Sequence, residues 1–135
     1  MKRILLALLL TIGSAKADLV VIGHPKSGVE ALNAKQVQDI YLGRTRAFPN
    51  LKFALPIDQA NYRRAEFYEL LTGRSLEQIN AYWARIVFTG QASPPLQLPN
   101  DAAVLSTVRD NEGAIGYIDR ASVDGSVRVL LLLRK

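Results

Sequence analysis

Three features of the chain predict an α/β fold, a small mixed sheet flanked by helices. Short apolar runs alternate with stretches of helical periodicity, helix-start residues stand ahead of those stretches, and Gly and Pro mark the joints. The length of 135 residues suits one domain with its own core. There is no Cys, which excludes disulfides, thiol catalysis and Cys-based metal sites.

Leu19-Val20-Val21-Ile22 predicts a buried strand, stopped by Gly23-His24-Pro25. Asn33 and Gln36 have capping-box spacing, so a helix carrying Val37, Ile40 and Tyr41 follows and closes at Gly43. Phe53 to Ile57 predicts a second strand, with Pro56 placing its end at an edge or boundary. Tyr62 to Leu71 predicts a helix stopped by Gly73. Ser75 and Gln78 open another, whose Leu76, Ile79, Trp83, Ile86 and Val87 form an apolar stripe. Gln91 to Asn100, with three prolines, predicts a loop. Asp101 caps a helix bearing Val104, Leu105 and Val108. Ala114 to Ile118 and Val127 to Leu133 complete the strands.

Residues 1–17 predict a cleavable signal peptide. Lys2 and Arg3 precede an apolar run from Ile4 to Ile12, and Ala15 and Ala17 occupy the small positions that a signal peptidase needs. The run is shorter than the roughly 20 residues of a membrane span, and without Cys no lipid-bearing N-terminus can form. Residues 18–135 are thus expected free in the periplasm, with no membrane anchor. Cleavage removes three cations and no acid, lowering the formal charge from +5 to +2. That argues against a nucleic-acid partner, which wants clustered excess charge.

The residues that carry chemistry are few. His24, the lone histidine, and Ser27 lie in the loop after the first strand, where an open α/β sheet tends to bind ligands. A loop histidine bonded to backbone is the plainer account, and nothing near it completes a metal or nucleophile pattern. The segment Asp58 to Arg64 leaves a strand and enters a helix. Asn61, Arg63 and Arg64 stand where helix amides favour anions, and Arg matches oxyanions with paired hydrogen bonds. The competing account is a solvated face with either Arg paired to Glu66 or Glu69. No paired-carboxylate or triad arrangement is present, so no enzyme, metal or cofactor is expected.

Two segments carry a family likeness: Asp39-Ile40-Tyr41-Leu42-Gly43-Arg44, and Asn111-Glu112-Gly113-Ala114-Ile115-Gly116-Tyr117-Ile118. Together with Trp83 to Gly90 they resemble one lobe of the phosphate-binding proteins of ABC importers, and closely the short single-lobe phosphate ABC transporter substrate-binding proteins. The resemblance implies a single periplasmic-binding-protein-like lobe that binds phosphate or a similar oxyanion in connection with phosphate uptake. Counting back from Phe67, the family's Ser-Gly-Thr ligand loop falls on Asn61, Tyr62 and Arg63. Asn61, Arg63 and Arg64 are therefore the expected anion contacts, with Ser27 and His24 from a neighbouring loop as secondary ones. The alternative is an envelope protein-interaction module that kept the lobe, lost the ligand and docks on a transporter or sensor.

Overall fold

A computed structural model of the chain describes residues 18–134. The signal peptide expected over residues 1–17 lies outside them. Five strands form one sheet: β1 (Leu19–Gly23), β2 (Leu55–Gln59), β3 (Leu96–Leu98), β4 (Ala114–Asp119) and β5 (Arg128–Leu133), in the order β3-β2-β4-β1-β5. Its direction is mixed, because β2 runs parallel to β3 and β4 while β1 runs antiparallel to β4 and β5. Four helices flank it: α1 (Ala34–Tyr41), α2 (Arg63–Thr72), α3 (Leu76–Thr89) and α4 (Asp101–Asp110). Among the described residues no helix is long and apolar enough to cross a membrane.

The two faces of the sheet carry separate cores. Leu19, Val21, Ile115 and Tyr117 point to the side covered by α1, α2 and α3. Val20, Ile22, Ala114 and Ile118 point to the side covered by α4, through Val104 and Val108. Covering on both faces is why β1 reads as an unbroken apolar run instead of an alternating one. Gly116 faces α4: a Cβ there would lie 2.5 Å from Val104 Cγ1. The missing side chain lets α4 rest directly on β4, which sets the position of the helix start.

Both expected capping boxes form, at Asn33 with Gln36 and at Ser75 with Gln78. The structure departs from expectation in three places. Residues Leu96–Leu98 are strand β3, bonded to β2 inside what reads as loop. β2 is an interior strand and extends to Gln59. Its Pro56 is tolerated because β3 begins pairing only at Ile57. Finally, the cap of α4 is Asn100, whose side chain accepts from the Ala103 N–H, and Asp101 is the first helical residue.

An aromatic cluster locks the helices to the sheet. The Phe67 ring stacks on Tyr117 with centroids 3.8 Å apart and planes 4° from parallel. The Tyr41 hydroxyl donates to the carbonyls of Ile57 at 2.8 Å and Ile115 at 3.0 Å, tying β2 to β4 where both are buried.

Candidate functional site

The end of β2 and the start of α2 hold the chemistry, and two periodicities arrange it. In a strand, successive side chains point to opposite faces. Asp58 therefore faces α2 and Gln59 faces α4. In a helix, successive residues are about 100° apart, so Arg63 and Arg64 diverge. Each arginine meets a carboxylate on its own side of the sheet.

On the α2 side, Asp58 is fully buried. Its Oδ1 accepts from the Gln59 N–H at 2.9 Å and from the Tyr117 hydroxyl. Its Oδ2 accepts from Arg64 Nε at 3.0 Å and from the Tyr68 hydroxyl at 2.9 Å. Arg64 extends onward to Asn80 Oδ1 at 2.8 Å. Four donors saturate the carboxylate, which is the condition for burying one at all. Burial holds the Tyr41, Tyr68 and Tyr117 phenols well above the usual tyrosine range, and the negative charge of Asp58 adds to it.

On the α4 side lies an open crevice of about 580 Å³ at the carboxyl ends of β2 and β4. Gln59, Asn61, Tyr62, Arg63, Asp101 and Ser122 line it, among others. Asp101 Oδ1 accepts from Gln59 Nε2 at 2.8 Å and forms an ion pair with Arg63 Nε at 3.2 Å. Asp101 Oδ2 accepts from the Asp119 N–H at 3.1 Å and from Ser122 Oγ at 3.0 Å. Arg63 also reaches Asp119 Oδ2 at 3.3 Å, while its buried Nη1 has no partner.

Of the expected contacts, the structure brings Asn61 and Arg63 to the crevice. Asn61 braces it: its Oδ1 accepts the Arg63 N–H, and its Nδ2 donates to Gln59 Oε1 and to the Pro99 carbonyl, each at 2.8 Å. This side-chain bond replaces a cap from Tyr62, which makes none. Arg64 is turned to the other face. Neither arginine pairs with Glu66 or Glu69; their partners are the three aspartates.

His24 and Ser27 are not in a neighbouring loop, contrary to the sequence expectation. β1 opposes β4 with Gly23 beside Ile115, whereas β2 follows β4 with Leu55 beside Ala114. The loop after β1 is therefore at the opposite end of the sheet from Gln59. Five strand residues at 3.3 Å each separate the ends by roughly 15 Å. There His24 Nδ1 accepts from the Lys26 N–H at 3.0 Å, and the buried Ser27 hydroxyl accepts from the Val29 N–H at 3.2 Å. Both are turn-forming bonds.

Sequence reasoning misses Asp58, Gln59, Asp119 and Ser122 as members of these clusters and reads Asp101 only as a cap. The available signal was a helix with two arginines in its opening turn. That charge pattern opposes the helix dipole and favours negative partners at the helix start.

The sequence matches no family model and no curated protein. Solved structures are similar in fold. A phosphate ABC transporter substrate-binding protein with bound phosphate, from Clostridium perfringens, superposes with a TM-score of 0.67 at 22% identity, over 84% of this chain and 44% of its own. An ABC-type phosphate transport receptor from Vibrio cholerae gives 0.66 at 19%, over 84% and 45%. PstS from Borrelia burgdorferi gives 0.64 at 12%, over 85% and 47%. The chain thus has the fold of phosphate ABC transporter substrate-binding proteins, and it spans a little under half the length of each.

Proposed function

We propose that this chain is an extracytoplasmic, non-catalytic binding domain, one lobe of a substrate-binding-protein fold, that takes phosphate or a similar oxyanion in connection with phosphate uptake. One observation carries the reading. Donors from β2, α2, the end of β4 and the turn after it converge, at the rim of an open crevice, on a single negatively charged group. That group is the Asp101 carboxylate, so the donor set is of the kind that binds an oxyanion edge. Arg63 and the Gln59 amide are the contacts we assign, with Asn61 holding the helix start in place. Arg64 belongs to the buried Asp58 cluster and supports the site from behind. Ser27 and His24 lie too far away to take part.

Calorimetric titration of the purified protein with phosphate, and with sulfate for comparison, tests this. The expected result is saturable binding with a dissociation constant in the millimolar range, weakened at least threefold in Arg63→Gln. Absence of heat and of a thermal shift at 20-fold higher anion would overturn the reading.

A second reading has a specific observation in its favour. Every hydrogen-bonding atom of the Asn61 side chain is used within the fold, and both arginines already have carboxylate partners. An envelope protein-interaction module that no longer needs a small ligand would look the same. It predicts a silent titration together with a stable complex with an envelope transporter or sensor.

A further inference from the structure

The geometry points to Asp101 as a built-in ligand of the crevice, a carboxylate of the chain itself that holds the place of an incoming oxyanion and must be displaced before one binds. This rests on the oxyanion reading above and adds what controls the site.

Three facts carry it. First, both carboxylate oxygens of Asp101 are engaged, by donors from four separate elements: the Gln59 side chain on β2, Arg63 on α2, the Asp119 N–H at the end of β4, and the Ser122 hydroxyl in the short 3₁₀ turn of Arg120–Ser122. Second, Asp101 is not needed where it stands as a helix cap, because Asn100 already performs that role. Its carboxylate therefore serves the donor set instead of the helix end. Third, the set is over-supplied: Arg63 Nη1 is buried without a partner even with Asp101 and Asp119 in place. A carboxylate offers two oxygens, whereas a tetrahedral oxyanion offers a third or fourth to such a donor.

The chemistry follows from mass action. An internal carboxylate is present at high effective concentration, so a free anion competes against it and binds weakly. The open side of the crevice lets Asp101 swing out by side-chain rotation without unfolding α4. The residue therefore sets a threshold: the site responds to abundant oxyanion and ignores traces.

The test compares the wild type with Asp101→Ala, Asp101→Asn and Arg63→Gln. Thermal melts and calorimetric titrations are run in formate, phosphate and sulfate against chloride at equal ionic strength. We expect Asp101→Ala to melt lower than wild type in chloride and to be rescued selectively by the oxyanions. It should bind phosphate at least tenfold tighter than wild type. Asp101→Asn keeps an acceptor oxygen and the residue's shape, and should gain less; it also serves if the alanine variant folds poorly. In Asp101→Ala combined with Arg63→Gln the rescue should disappear.

Wild-type binding of phosphate as tight as that of Asp101→Ala would overturn the built-in ligand while leaving the oxyanion reading intact. Rescue by formate with no response to phosphate or sulfate in any variant would support the ligand role of Asp101 and sink the oxyanion reading. Melting of both Asp101 variants that is indifferent to every anion would sink the proposal outright.

Discussion

Asp58 and Asp101 are the same residue type, each held by one of two adjacent arginines, yet they stand in opposite surroundings. Asp58 is sealed beneath α2 with two tyrosine hydroxyls, an arginine and a backbone amide, and no solvent reaches it. Asp101 has a comparable set of donors but keeps 16% of its side chain exposed on a crevice wall. The first is cemented into the core. The second faces an open crevice, where our proposal places an incoming anion. A salt bridge is thus structural or addressable according to what covers it, and the sequence motif Arg-Arg cannot tell which is which.

The largest effect should come from breaking the closed pair. Asp58→Asn leaves Arg64 and three further donors facing an amide, and should lower stability by about 3–5 kcal/mol; urea unfolding followed by far-UV circular dichroism measures it. Asp101→Asn should cost only about 1–2 kcal/mol in the same assay, since water can replace the lost partner. Equal losses would erase the distinction.

Alkali offers a second probe of the closed side. The folded phenols of Tyr41, Tyr68 and Tyr117 are raised above their ordinary value of 10.0, by burial first and by Asp58 second. The unfolded chain therefore releases these protons at lower pH than the folded one. The stability they contribute is whole below about pH 10 and falls as pH climbs above it. Unfolding midpoints between pH 8 and 11 should be flat and then decline, and phenolate absorbance from the three should appear only with unfolding.

The smallest effect belongs to a surface pair. Asp39 is bound by Lys35 at 2.9 Å and by Arg44 at 3.2 Å, and the Lys35 hydrogen bond is the main cause of its lowered carboxyl pKa. The lysine is 77% exposed, so Asp39→Asn should change stability by less than about 0.5 kcal/mol. A larger loss would mean that exposure is a poor guide to which carboxylates matter.

The fold was legible where local physics decides. Capping boxes at Asn33 and Ser75 and the left-handed stop at Gly73 depend on neighbours in sequence, and β1 announces its burial on both faces by an unbroken apolar run. β3 was not legible, because three residues preceded by prolines acquire strand character only by pairing with Ile57 to Gln59. The candidate site was half legible. Asn61 and Arg63, which line the crevice, stood out because a strand-to-helix junction with arginines is unusual on its own terms. The carboxylates could not, since Asp101 and Asp119 come to Arg63 from 38 and 56 residues away. His24 and Ser27 were misplaced for a topological reason: the direction of β1 relative to β2 is set by which strands pair, and nothing in the loop itself records that.

Gln59 joins the buried cluster to the crevice. Its backbone N–H rests on Asp58, and its side chain holds both the Tyr117 carbonyl and Asp101. The buried cluster and the crevice therefore share a member and are not independent thermodynamic units. Whatever relaxes one carboxylate alters the footing of the other, so the combined cost of changing both differs from the sum of the separate costs. A group arriving at the surface of this lobe is mechanically connected, through one glutamine, to the stacked rings at its centre.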